Sequence, residues 1–120
     1  MAGEITHWNI NGLKCKSSPN YKDKVDLLTS ILEKNSTFIL NVQETHISSK
    51  EDMPKFLEVY KHIYHVVKTL SPSNDRASGI FICIRKTEEI IKMEVLENGR
   101  LLFIKILNKS SKEIINIFSI

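Results

Sequence analysis

Cysteine is scarce: Cys15 and Cys83 are the only two in 120 residues. They stand too far apart for the paired spacing of a zinc site and fall in different predicted elements, so two free, buried thiols in a reducing compartment are expected. Long apolar runs are missing too. No stretch approaches the roughly 20 residues of a membrane span, which argues against a membrane protein. Met1-Ala2-Gly3-Glu4 has no basic region leading into an apolar one, so no secretory signal is read and an intracellular setting is expected. Charge of either sign is barely in excess, 17 Lys and Arg against 14 Asp and Glu. That permits nucleic-acid binding without arguing for it. Repeats, low-complexity tracts and linkers are absent. What remains is 42% hydrophobic and 26% charged, the make-up of one small globular domain.

The chain opens with an alternating segment. Ile5, His7 and Asn9 fall on one side and Thr6, Trp8 and Ile10 on the other, which predicts a strand ending at the breaker Asn11-Gly12. A Lys- and Ser-rich stretch closed by Pro19-Asn20 reads as a loop. From Lys22 to Lys34 the period changes, with Val25, Leu28 and Leu32 on a helical stripe beside Leu27 and Ile31. Asn35-Ser36 ends the helix, and Thr37–Val42 is a strand apolar enough for burial on both faces. A strand–helix–strand unit of this kind makes two parallel, right-handed neighbours in one sheet.

Beyond Val42 strands dominate. A short helix is expected over 51–59, with Pro54 tolerable only in its first turn. Strands follow at 61–68, 79–85 and 89–95. Asn98-Gly99 offers a two-residue hairpin turn into Leu101–Ile106. Asn108–Ser111 offers another turn, into Ile114–Phe118. A strand this apolar usually lies inside a sheet, and the sequence ends at Ile120 without a turn or polar tail, so a truncated domain is expected.

Two clusters begin where predicted strands end: Trp8-Asn9-Ile10-Asn11-Gly12-Leu13 and Asn41-Val42-Gln43-Glu44-Thr45-His46. Strand ends are where α/β sheets place functional groups. Parallel neighbours would bring Asn9, Asn11 and Glu44 to one edge, and a single carboxylate beside amides is an open oxygen site of the kind Mg²⁺ accepts while keeping waters. Each motif alone has a plain alternative. Asn-x-Asn-Gly commonly makes a turn, Gln-Glu-Thr-His a polar loop, and a lone histidine such as His46 a surface residue. Their order and strand context together carry the signal.

Trp-Asn-Ile-Asn-Gly-Leu at 8–13 and Gln-Glu-Thr-His at 43–46 closely resemble the first two motifs of the endonuclease/exonuclease/phosphatase superfamily. Thr45-His46 and Asn11 resemble the apurinic-endonuclease-like domain of LINE (non-LTR) retrotransposons. Ser78–Ile82 and Ile114–Ile120 are similar to two further strands of that family. The resemblance spans residues 1–120 but only the N-terminal half of the family domain. It implies half of a two-sheet α/β sandwich with the site at one end. By the same resemblance Glu44 and Asn9 are catalytic, Glu44 with Asn11 holds Mg²⁺ or Mn²⁺, and Asn9, Asn11 and His46 face phosphate and DNA. The implied partner is DNA, in a nuclear setting, within a longer polyprotein that carries a reverse transcriptase.

The departures matter as much. The family's phosphate-binding tyrosine falls just past Ile120, or Phe118 takes its place under a shifted alignment. The Gly-Asp-x-Asn motif, a later Asp and the terminal Ser-Asp-His motif have no counterpart, and His7, His46, His62 and His65 do not match the last in position. Proton transfer and water positioning are then missing, so these 120 residues alone are expected to be inactive and to expose apolar faces. Two other readings stay open: another phosphodiesterase or phosphatase of the superfamily, and a non-catalytic interaction remnant.

Overall fold

The structure, a computed structural model, describes residues 3–13, 19–71, 78–96 and 100–120. The opening alternation forms strand β1 (Glu4–Asn9), followed by helix α1 (Pro19–Glu33) and strand β2 (Thr37–Gln43). Helix α1 begins earlier than the periodicity predicts. Pro19-Asn20 is a loop signal in the sequence, yet proline's fixed φ and missing N–H suit the first turn of a helix. Leu28 and Leu32 are fully buried, with Val25 and Ile31 packed around them.

β1 and β2 pair in parallel as expected, Thr6 opposite Leu40 and Asn9 opposite Gln43. The helix expected over 51–59 is divided. A single 3₁₀ turn, Lys50–Asp52, and a short helix α2 (Phe56–Tyr60) flank Pro54. Met53, just before the proline, is extended at ψ 137°, because proline disfavours the helical conformation of its predecessor. Strands β3 (Tyr64–Thr69) and β4 (Ile80–Arg85) complete a sheet of order β1-β2-β4-β3, with β4 antiparallel to both neighbours.

The second sheet contains β5 (Glu88–Leu96), β6 (Leu101–Asn108) and β7 (Ile114–Ser119), in that order and antiparallel. The expected turn at Asn98-Gly99 lies outside the described residues, as does Cys15; the strands on either side of that turn pair with Leu96 opposite Leu101. At the next turn Asn108 Oδ1 accepts from the backbone N–H of Ser110 and of Ser111, both at 3.0 Å. β7 pairs with β6, and the other partner an apolar strand would take is not found among the described strands.

The layers are helices, first sheet, second sheet. Leu40, Val42, Phe81 and Cys83 face α1 and α2. Ile39, Ile82 and Ile84 face Leu102, Ile104 and Ile106 of the other sheet, all six fully buried. Burying such side chains contributes ~1.5–3 kcal/mol each, so this apolar contact is what holds the second sheet on. β2, in both cores, is the predicted strand buried on both faces. At the far end Tyr64 Oη donates to Leu32 O at 2.7 Å and accepts from Arg85 Nη2 at 2.7 Å. The two sheets cover each other over β2 and β4, so the apolar exposure expected of the chain does not fall on these inner faces. Exposed large apolar side chains include Ile5 of β1, Leu27 and Val59 of the helices, Met93 and Val95 of β5, and Ile114 and Phe118 of β7.

Candidate functional site at one sheet edge

Pairing does not stop where β1 and β2 end. Ile10 N donates to Gln43 O at 3.0 Å, Gly12 N to Glu44 O at 2.8 Å and Leu13 N to Thr45 O at 2.8 Å. On the other side Thr45 N donates to Gly79 O at 3.0 Å and His46 N to Ser78 O at 2.9 Å. The two motif loops and the start of β4 thus form one backbone ladder, and the four residues picked from sequence, Asn9, Asn11, Glu44 and His46, all lie on it.

The ladder requires unusual backbone. Asn11, Glu44 and His46 all have left-handed φ, 50°, 54° and 61°. Asparagine tolerates that region, but a glutamate held there is uncommon and costs of order 1 kcal/mol. Gly12 at φ 99° makes room for a ring: a Cβ there would sit 3.0 Å from His46 Nδ1. Gly79 at φ 102° is tighter, since a Cβ would collide with Thr45 Oγ1.

The side chains differ in how they are tied. Asn9 Oδ1 accepts from Asn11 N at 3.2 Å, a local turn, and the Asn9 amide N–H₂ has no partner among the described residues. Half-buried Glu44 has no hydrogen-bond or ion-pair partner for its carboxylate among the described residues. Two supports went unread in the sequence. Lys24 Nζ reaches from α1 to donate to Gly12 O at 2.9 Å and Asn11 O at 3.4 Å. Buried Thr45 accepts from Ile47 N through Oγ1 at 3.3 Å and packs under Gly79. A lysine one helical turn into an amphipathic helix and a threonine in a polar loop carry no signal until their neighbours are known.

Beneath this edge lies a polar chain. Asn41 and His7 occupy the same sheet face as Gln43 and Asn9, one step deeper. Asn41 Nδ2 is 3.0 Å from His7 Nδ1, and Ser119 Oγ donates to Asn41 Oδ1 at 2.7 Å. Ser119 thus faces the gap between the sheets. Its neighbour Phe118 faces the other way, its ring 4.6 Å from that of Phe103, so it does not stand in for a phosphate-binding tyrosine on the site side.

The donors fit a hard divalent cation of low protein coordination: one free carboxylate and nearby amide oxygens, with water and substrate oxygens left to complete the shell. Among the described residues no three His, Cys, Asp or Glu side chains gather, so a closed, all-protein metal cage is not formed.

This arrangement is a mixed α/β sandwich of two sheets, similar in fold to a solved apurinic endonuclease. The crystal structure of the AP endonuclease LMAP from Leishmania major superposes with a TM-score of 0.60 at 16% identity, covering 94% of this chain and 38% of that one. The chain thus spans under half the length of that neighbour, and at this identity the likeness shows the fold. No protein-family model matches the sequence, and no curated protein matches it.

Proposed function

We propose that the chain carries the first part of a divalent-metal-dependent DNA endonuclease site of the LINE-retrotransposon type. The observation that carries this reading is Glu44: a free carboxylate on strained left-handed backbone, beside the strand end that presents Asn9. Strain of this kind persists where the surrounding structure imposes it, and it clusters at ligand-binding positions.

In this reading Glu44, with Asn11 beside it, holds Mg²⁺ or Mn²⁺, and the Asn9 amide donates to an oxygen of the scissile phosphate. His46, packed over Gly12, faces the DNA. A bound cation supplies charge neutralisation at the phosphate and the leaving oxygen. Hydrolysis also needs a base to take the proton of the attacking water, and none of the four histidines matches that role in position. The 120 residues alone therefore bind metal and DNA without turnover. A reverse transcriptase in the same polyprotein, and a nuclear setting, belong to this reading.

The test is Mn²⁺ titration followed by paramagnetic resonance, run beside plasmid nicking. Wild-type chain should bind Mn²⁺, Glu44→Gln should bind it at least about tenfold more weakly, a loss of ~1.4 kcal/mol, and neither should nick. Equal Mn²⁺ binding by both proteins would remove Glu44 from the site. Nicking by wild type that Glu44→Gln abolishes would show the site to be complete.

A further inference from the structure

Along the seam between α2 and β3 runs a groove of about 360 Å³, rimmed by Lys50, Lys55, Lys61 and Lys68. Glu51 and Glu58 share the rim, and Glu58 is engaged by Lys61 at 2.9 Å. With Glu51 also on the rim, four lysines against two glutamates leave it net positive, and the cations outside the Lys61–Glu58 pair are Lys50, Lys55 and Lys68, all exposed. None of these three forms a salt bridge among the described residues. Leu57 and Val66 give the groove an apolar floor. A cationic rim over an apolar floor matches a sugar–phosphate backbone, with its anionic groups spaced by uncharged rings.

Its place in the fold ties it to the site. β3 runs parallel to β1 and β2, since both β2 and β3 are antiparallel to β4. The C-terminal end of β3, with Lys68, therefore lies on the same edge as Asn9 and Glu44. Lys50 lies shortly after His46 in the loop that leaves the ladder, and Ser71 N donates to Ile47 O at 2.7 Å, tying the segment after β3 to that loop. β2 and β3 are two strand spacings apart, about 10 Å. The groove opens on the helix side of that edge, and Asn9 on the side toward the second sheet.

We propose that this groove is a second DNA-backbone contact, holding phosphates that flank the scissile one through Lys50, Lys55 and Lys68. It rests on the nuclease reading above and adds the surface that sets the path of the flanking duplex. Contacts of this kind bind without sequence preference, and each phosphate neutralised adds about 0.9 to the slope of log affinity against log salt.

The experiment is fluorescence anisotropy of a labelled 20-base-pair duplex with the 120-residue chain across a KCl series. One variant is Lys50→Ala/Lys55→Ala/Lys68→Ala. The control, Lys86→Ala/Lys105→Ala/Lys109→Ala, removes equal charge from the turn after β4, from β6 and from the turn that follows it. The groove variant should lose about tenfold or more in affinity at low salt and about 2–3 from the slope, while the control changes little. Equal losses in both variants would reduce the effect to net charge and overturn the groove. Absence of duplex binding by wild type would overturn it too. Glu44-dependent Mn²⁺ binding is read separately: its survival beside a failed groove leaves the site reading standing, and its absence beside a groove-selective loss does the reverse.

Discussion

Ser119 Oγ, in the last strand, donates a 2.7 Å hydrogen bond to Oδ1 of Asn41 in the central strand of the other sheet, and both side chains are buried. This is a polar tie within an otherwise apolar contact between sheets, and it lies one layer under the site edge. Ser119→Ala leaves the Asn41 oxygen buried without its donor, and should cost ~1–3 kcal/mol in urea unfolding. Combined with Asn41→Ala, the double variant should show coupling of at least ~0.5 kcal/mol. Additive losses would mean the two side chains contribute independently.

Gly79 and Thr45 form a second coupled pair. A Cβ at Gly79 meets Thr45 Oγ1, and φ 102° is itself unfavourable for an L side chain. Gly79→Ala should therefore destabilise by ~2 kcal/mol or more, through both backbone strain and the clash. Adding Thr45→Ala should restore part of the loss, because it removes the clash and leaves the strain. Thermal unfolding of the four proteins decides, and no rescue at all would assign the whole cost to the backbone.

Glu44 allows stability and binding to be separated. Glycine relieves left-handed strain but adds freedom to the unfolded chain, so Glu44→Gly should change stability by less than ~1 kcal/mol while removing Mn²⁺ binding. Glu44→Val places a β-branched residue at φ 54° and should cost ~1–2 kcal/mol. A large loss on Glu44→Gly would show that this carboxylate packs the structure, contrary to its proposed role.

Burial pushes the Cys83 thiol from its ordinary value of 9.0 up to about 12. The folded state keeps the proton where the unfolded chain gives it up, so this contribution is complete below pH 9 and is lost as pH rises toward about 12. Wild type should lose ~1 kcal/mol more than Cys83→Ala between pH 8 and pH 10. In a Cys15→Ser background Cys83 should react with a disulfide reagent at pH 8 only as fast as the chain opens. Rapid reaction of the folded protein would contradict its burial.

The parallel pair and its site edge were legible because short-range rules decide them. The two-residue alternation of 5–10 and the apolar run 37–42 fix strands, and the helix between forces them parallel. What was not legible depends on distant residues. Pro19 reads equally well as a loop end or a helix start until α1 docks on Leu40 and Val42. Pro54 breaks the helix expected over 51–59 through the conformation it imposes on Met53. Lys24 and Ser119 became visible only when their partners, Gly12 and Asn41, were placed in space.

The ladder joining residues 10–13, 43–46 and 78–79 is made of main-chain hydrogen bonds. The addresses of the side chains it carries are consequently set by the main chain, within the residue types that its left-handed positions and its two close-packed glycines admit. An acid exchanged for an amide at position 11 changes the charge presented to a substrate without moving the atom that presents it. Such an edge behaves like a socket of fixed pitch, into which different donors can be fitted one at a time wherever the backbone conformation tolerates them.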